Sequence, residues 1–301
     1  MIIYIAGYGR SGSTLLDVTL NAHPEIFGAG ELTWLFRRAA DGHACTCGIR
    51  LEECEIWGKV LASVRNELPD QSLESLAAIT LQCERLLPIR SRSDIYDRAW
   101  SVALDQLRRI TGCEWIVDSS KSNRIGLHRY QLLSQLFHQR IRMLHLVRPV
   151  GDVLRSLRNG TNKSLAEGDG RPPIGGALRG LASWTFSNLA AECQTKHLPH
   201  ERLIVDYEEL VQSPQDAVRQ IGEFLTLRME CVMDMLAAKQ PMSGGHGVDG
   251  NRMRRSANIR LLRQPESVEL PPFSDRALAS LVRPLERRYR APARLIPRKA
   301  A

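Results

Sequence analysis

Three glycines, an arginine and three hydroxyl residues stand together near the start of the chain, in the run Gly7-Tyr8-Gly9-Arg10-Ser11-Gly12-Ser13-Thr14. The glycines let an anion approach the backbone, where free N–H groups, the guanidinium and the hydroxyls can bind it. A buried strand is predicted before the run and an amphipathic helix after it. The pattern predicts a phosphate-binding loop with the binding residues Gly9, Arg10, Ser11, Gly12, Ser13 and Thr14.

This loop differs in one position from the loops that bind nucleoside triphosphates. Gly7 and Gly12 have the spacing of a Walker A motif, but Ser13 stands where that motif has its lysine. The cation comes earlier, at Arg10. The lysine of that motif binds the β- and γ-phosphates. Its absence therefore argues against triphosphate hydrolysis and favours a loop that binds phosphate without a metal ion.

Two residues of opposite charge follow predicted strands. Glu31 comes shortly after the apolar pair at 26–27, and Lys121 follows the apolar run 115–117. Ligands of parallel α/β sheets bind beyond the carboxyl ends of the strands, so we expect Glu31, Lys121 and Arg10 to converge. The plainer alternatives are a Glu31 that faces a helix dipole and a Lys121 that is an ordinary surface lysine.

Other residues that could contact a bound ligand lie later in the chain. Arg148 ends a predicted strand and Ser156 follows eight residues on, so both can reach one phosphate at the sheet edge. The glycine-rich basic stretch 242–255 predicts a ligand clamp, with Arg254 as its candidate contact. The Gly/Pro-rich stretch 160–176 predicts a loop over the site.

Strands and helices must alternate to position these residues. Apolar, β-branched runs predict strands at 2–6, 26–27, 114–118, 142–147 and 202–207. The predicted fold class is α/β: a P-loop-type, three-layer α/β/α arrangement with a central parallel sheet of about five strands and helical insertions. No Pro/Gly/Ser-rich linker divides the chain, so residues 1–301 are predicted to form one domain. A helical insertion is expected at about 41–112, with helices near 58–66, 71–87 and 96–111, and a helical, basic segment at about 228–301.

The composition suggests classes of ligand and a cellular location, but it identifies no particular partner. The net charge of +8 suggests a polyanionic ligand or acidic partner, although codon usage explains the many arginines equally well. The basic tail 287–299 carries no recognition motif, so we expect it to be solvated and not to bind nucleic acid. No apolar run is long enough to span a membrane, and a strand from residue 2 leaves no room for a secretion signal. A cytoplasmic location is therefore expected.

Seven cysteines, an odd number, fit a full disulfide framework poorly. Cys45, Cys47 and Cys54, with His43 nearby, have ligand types that bind zinc. Their spacing is not that of a standard zinc finger, and the fourth ligand is not assured. A buried structural cluster or a redox-sensitive pair is therefore favoured, and no metal is predicted.

Taken in order, these motifs resemble those of the sulfotransferases that use 3′-phosphoadenylyl sulfate (PAPS), particularly the bacterial branch near the tyrosylprotein sulfotransferases. Residues 10–14 look like the 5′-phosphosulfate loop of that family, 148–156 like its 3′-phosphate motif, and 21–31 like the segment that carries its glutamate base. Lys121 falls on a lysine that contacts the transferring group. The resemblance spans residues 2–225, with a departure at 149–152, where relatives usually have Asp-Pro-Arg or Asp-Gly-Arg.

The resemblance implies transfer of a sulfuryl group from PAPS, as co-substrate, to a hydroxyl of a small-molecule, carbohydrate or peptide acceptor. Glu31 would be the general base, Arg10 and Lys121 would offset charge on the leaving 5′-phosphate, and Arg148 with Ser156 would bind the 3′-phosphate. No metal would be required. A P-loop kinase or NTPase and a non-catalytic polyanion-binding protein remain alternatives, and the oligomeric state is not predicted.

Overall fold

The fold is described from a computed structural model. It describes residues 1–87, 93–123, 125–137, 140–158, 176–197, 201–250, 252–256, 258–261 and 273–290. Most of the loop predicted at 160–176 and the end of the basic tail, 291–301, lie outside the described residues.

Five parallel strands form the central sheet of the described chain, in the order β2-β3-β1-β4-β5. Their bounds are β1 (Ile2–Ala6), β2 (Ile26–Gly30), β3 (Trp115–Asp118), β4 (Ile141–Val147) and β5 (Arg202–Asp206). The predicted α/β class and parallel five-stranded sheet are confirmed. Because β1 pairs with both β3 and β4, the loops that follow these three strands are neighbours.

Helices cover both faces of the sheet. Their bounds are α1 (Ser13–Asn21), α2 (Leu35–Ala40), α3 (Trp57–Glu67), α4 (Leu73–Glu84), α5 (Asp94–Thr111), α6 (Arg129–Phe137), α7 (Val150–Arg158), α8 (Gly176–Gln194), α9 (Tyr207–Gln212), α10 (Pro214–Leu225), α11 (Glu230–Ala237), α12 (Phe273–Leu281) and α13 (Arg283–Arg290). Short 3₁₀ turns lie at Leu32–Trp34 and Arg252–Arg255.

Alternation along β1 shows how the layers arise. Tyr4 packs into a core with aromatic residues of α2, α3 and α5, whereas Ile3 and Ile5 pack into a second core with α1 and α10. Successive side chains of a strand point to opposite faces, so a fully apolar strand requires cover on both sides. This gives the three-layer α/β/α arrangement.

Strand β2 is longer than the predicted strand at 26–27, because Gly28 and Gly30 belong to the strand. Gly30 has a φ of +83°, and a Cβ there would lie 2.3 Å from the carbonyl oxygen of Val248. The cause is the described part of the segment 242–255, where Val248 lies against the strand end: Val248 N donates to Ala29 O at 2.8 Å, and Glu31 N donates to Val248 O at 2.8 Å. A side chain at position 30 would push this segment away.

His145 of β4 is a fully buried histidine that the fold keeps neutral. Its Nε2 bonds Asn188 Oδ1 at 2.8 Å, and its Nδ1 is buried without a partner among the described residues. A second proton would therefore have no acceptor. Burial lowers the pKa of His145 from 6.5 to about 3.

We expect this histidine to make stability depend on pH. Between pH 6.5 and about 3 the unfolded chain binds a proton that the native state does not. The free energy of unfolding should therefore fall with decreasing pH in that window, by up to about 1.4 kcal/mol per pH unit. Urea denaturation at a series of pH values should show that the free energy of unfolding depends less on pH in His145→Gln than in the native protein. His43→Gln, at an exposed position, should keep the native pH dependence. The same pH dependence in all three proteins would contradict this origin.

Within the described residues, no helix combines the length and the apolarity that crossing a bilayer requires.

Candidate functional site

The loop between β1 and α1 has the tight backbone that an anion site needs. Gly7 has a φ of +115°, and a Cβ there would meet the carbonyl oxygen of Leu146 at 2.3 Å; Gly12 has a φ of +95° and lies against the ring of Tyr207. Arg10 also has a positive φ, of 71°. Among the described residues, no side chain caps the N-terminus of α1, and the N-terminus of a helix favours a bound anion.

Polar side chains of the loop face inward. Ser11, Ser13 and Thr14 are all buried, and the Ser11 hydroxyl has no partner among the described residues. A buried hydroxyl without a partner is costly, so it is a natural contact for a bound oxyanion. Gly9 and Arg10 lie at the mouth of the loop and are partly exposed.

Glu31 and Lys121, two of the three residues expected to converge at the strand ends, form an ion pair. Lys121 Nζ donates to Glu31 Oε1, and the two side chains are only 11% and 17% exposed. Glu31 follows β2 and Lys121 follows the neighbouring β3. The segment after β3 also contacts the anion loop, because Ser122 N donates to Gly7 O at 3.3 Å.

The backbone of Lys121 is held in an uncommon conformation. Its φ is 71°, and its carbonyl accepts a hydrogen bond of 2.7 Å from the Tyr4 hydroxyl. The left-handed region is unfavourable for residues other than glycine and persists only where the surroundings enforce it. Tyr4 therefore helps to aim the lysine at the strand ends.

A buried charge network lies behind this pair, and the sequence patterns did not predict it. Arg129, fully buried in α6, pairs with Asp118 at the end of β3 and with Glu84 of α4. Its guanidinium also lies 4.1 Å from the centroid of the Trp100 ring. Burial raises the pKa of Glu84, and the adjacent Arg129 opposes this shift.

The network reaches the site through two hydroxyl residues. Thr33 Oγ1 donates to Glu84 Oε2 at 2.6 Å, and Thr33 N donates to Ser120 Oγ at 3.0 Å. Ser120 in turn donates to Asp118. Because Thr33 is two residues after Glu31 and Ser120 is next to Lys121, the network fixes the segments that carry both charges.

Arg148 lies on the other side of the anion loop. Its Nη1 donates to Arg10 O at 3.0 Å, and its guanidinium stacks on the ring of Tyr207, 4.3 Å from the centroid. Its Nε is buried without a partner among the described residues. Ser156 lies half-buried on α7, and the described contacts do not join it to Arg148. Tyr207 was not predicted as a site residue.

Arg254 is held inside the protein. Its guanidinium donates to both carboxylate oxygens of Asp17, to Gly28 O at 2.9 Å and to Gly244 O at 3.1 Å. Only 2% of the residue is exposed. Each guanidinium nitrogen has a protein partner, which favours a structural role for Arg254 over the nucleotide contact expected from the sequence.

Comparison with known proteins gives a family and a fold. The sequence profile described as "Sulfotransferase family" matches residues 3–230. The solved "Sulfotransferase Domain from the Curacin Biosynthetic Pathway" is 19% identical, with a TM-score of 0.53 over 94% of this chain and 97% of that chain.

Two other solved structures are similar. The sulfotransferase domain from the Synechococcus PCC 7002 olefin synthase is 19% identical, with a TM-score of 0.50 over 94% of both chains. Sulfotransferase STF9 from Mycobacterium avium is 12% identical, with a TM-score of 0.51 over 94% of this chain and 75% of that chain. No curated protein sequence matches. At these identities, the structures share the fold.

Proposed function

This chain belongs to the sulfotransferase family, and we propose that it transfers a sulfuryl group from PAPS to a hydroxyl of a small-molecule, carbohydrate or peptide acceptor. The ion pair of Glu31 with Lys121, next to the anion loop, carries the proposal. In-line transfer needs a base on the acceptor side and positive charge on the leaving-group side, held at a fixed separation.

The transfer step follows from these positions. The acceptor oxygen attacks sulfur, the bond from sulfur to the 5′-phosphate oxygen breaks, and the hydroxyl proton passes to Glu31. The products are a sulfate ester and adenosine 3′,5′-bisphosphate. Proton transfer to a positioned carboxylate makes the hydroxyl a better nucleophile as the new bond forms.

Lys121 is proposed to serve both sides of the reaction. Its ammonium group has three donors, so one N–H can hold Glu31 while another binds the oxygen between sulfur and phosphate. Negative charge grows on that oxygen in the transition state, where a fixed cation stabilises it most. Arg10 and the N–H groups of Gly12, Ser13 and Thr14 would hold the 5′-phosphate without a metal ion.

Recognition of the 3′-phosphate is assigned to Arg148, with Ser156. The ring of Tyr207 and the carbonyl of Arg10 hold the Arg148 guanidinium in place, while its Nε has no partner among the described residues. A guanidinium fixed in this way loses little entropy on binding a phosphate. This contact would distinguish PAPS from ATP.

The nucleotide preference tests the proposal. We expect adenosine 3′,5′-bisphosphate to bind more tightly than AMP by about 1.5–3 kcal/mol, roughly a 10- to 150-fold difference in Kd. Arg148→Ala should abolish the difference, because the 3′-phosphate then loses its cation. Thermal shift and calorimetry with both nucleotides measure it.

An arginine far from the loop provides the control. Arg219 is exposed on α10 and pairs with Asp216, so Arg219→Ala should keep the native preference. Equal binding of AMP and the bisphosphate by the native protein would reject PAPS as the donor.

A further inference from the structure

Four residues with metal-binding side chains, two of them buried, meet near the start of α3. They are Cys45, Cys47 and Cys54, which are free cysteines, and His246 from the segment 242–255. Their ligand atoms all lie within 4.8 Å of one another. The sequence pattern indicates the three cysteines as candidate ligands, but not His246. The histidine lies 192 residues after Cys54, and it is His246 and not the neighbouring His43 that joins the cluster.

The separations fit a tetrahedral zinc site. With Zn–S bonds of about 2.3 Å and a Zn–N bond of about 2.0 Å, a regular tetrahedron puts two sulfurs about 3.8 Å apart and sulfur about 3.5 Å from nitrogen. Cys47 Sγ lies 3.9 Å from Cys54 Sγ. His246 Nδ1 lies 3.3 Å from Cys54 Sγ and 4.0 Å from Cys45 Sγ. Three of the six separations are thus close to the tetrahedral values, and the other three are no longer than 4.8 Å.

The other nitrogen of the histidine ring has the partner that metal-bound histidines usually have. His246 Nε2 lies 3.2 Å from Glu55 Oε1. A carboxylate on the far nitrogen fixes the tautomer and turns the near nitrogen toward the metal as an acceptor. The ring is therefore oriented by a group outside the cluster.

Hydrogen bonds between side chains and backbone hold the two segments together independently of the cysteines. Trp57 Nε1 donates to His246 O at 2.6 Å, and Thr46 Oγ1 donates to Gly245 O at 2.7 Å. Gly247 N donates to Thr46 Oγ1 at 2.7 Å. Two segments that are far apart in sequence are thus held together, and both contribute to the group of four candidate ligands.

We propose that Cys45, Cys47, Cys54 and His246 bind one Zn²⁺ ion with a structural role. Three thiolates and an imidazole suit zinc, whereas Mg²⁺ and Ca²⁺ require oxygen ligands. Four protein ligands close the coordination sphere, which is typical of structural and not catalytic zinc. The ion takes no part in the sulfuryl transfer.

The position of the site explains what the ion stabilises. Val248 follows His246 by two residues, and its carbonyl accepts the hydrogen bond from Glu31 N. The zinc would anchor the segment 242–255 at this point, while Arg254 anchors it on Asp17. The segment then holds the strand end that carries Glu31.

Metal analysis tests the proposal. Protein produced without a histidine tag and purified without chelator should contain about one zinc per chain. Cys47→Ser and His246→Asn should lose it, and both positions are accessible enough to tolerate the change. Cys231→Ser, at an exposed cysteine outside the cluster, should keep it.

Affinity and spectroscopy give readouts that do not depend on activity. Chelator should lower the Tm, and zinc should restore it. Cobalt added to the metal-free protein should give thiolate charge-transfer bands and the visible bands of a tetrahedral site. Glu55→Gln should weaken zinc binding, toward the lower end of about 10- to 100-fold because Glu55 is largely exposed, whereas its neighbour Glu53→Gln should not.

Two results would overturn the proposal. One is metal-free protein that, when fully reduced, takes up neither zinc nor cobalt. The other is a Cys47–Cys54 disulfide in the purified protein. The chain has seven cysteines, so thiol titration after chelation and unfolding should find all seven, and a disulfide would leave two fewer.

Discussion

Glu31→Gln is expected to reduce sulfuryl transfer by about 10²–10⁴-fold while binding of adenosine 3′,5′-bisphosphate stays close to native. Glutamine keeps the shape of the side chain and can still accept from Lys121, but it cannot take the acceptor proton. Initial rates with sulfur-labelled PAPS and a panel of alcohols, sugars and tyrosine peptides measure the loss, with the best acceptor used for all variants.

Two comparisons separate the loss of the base from other effects. Glu25→Gln changes an exposed glutamate of the same segment and should leave the rate unchanged. Lys121→Ala should also slow transfer, but a sulfuryl donor with a better leaving group should partly restore its rate and not that of Glu31→Gln.

A Glu31→Gln variant that keeps most of its activity would mean that another residue is the base. His23 and His246 are the candidates that loop position alone would suggest, and the structure gives both of them other partners. His23 is buried, its Nε2 bonds Arg228 O at 2.7 Å, and its Nδ1 accepts from Glu25 N at 3.1 Å. The ring of His246 lies between Glu55 and the cysteines. Neither arrangement leaves a ring nitrogen for an acceptor.

Local patterns predicted the parts of this site that depend on neighbours in sequence. The apolar run of β1 and the glycines after it predicted a strand and an anion loop, because burial on both faces and positive φ angles leave a direct mark on residue type. The meeting of Glu31 with Lys121 also followed, since both lie at the carboxyl ends of parallel strands.

Contacts between residues far apart in sequence could not be predicted from residue types or their spacing. The contact of Val248 with β2 and the approach of His246 to the cysteines join segments about 200 residues apart, and no periodicity records them. Glu84 is a similar case. A glutamate in a helix is normally expected at the surface, so its complete burial beside Arg129 was visible only in the fold.

Arg129→Met is expected to destabilise the protein by about 3–5 kcal/mol, the largest stability effect among the predictions. Methionine fills most of the volume, but Asp118 and Glu84 are left as buried carboxylates without their cation. Urea denaturation should show a lower midpoint with an unchanged slope, because the surface exposed on unfolding is nearly the same. Arg98→Met, which breaks an exposed pair with Glu67, should cost less than about 1 kcal/mol.

The pH dependence of this loss distinguishes an unpaired charge from poor packing. Burial already raises the pKa of Glu84 while Arg129 opposes it, so removing the arginine should raise the pKa of Glu84 further. The folded variant then binds a proton more readily than the unfolded chain, and its stability should fall as the pH rises. The deficit of Arg129→Met should thus be larger at pH 8 than at pH 5, and Glu84→Gln in the same chain should reduce this difference. A deficit that is equal at both pH values would instead assign the loss to packing around Trp100.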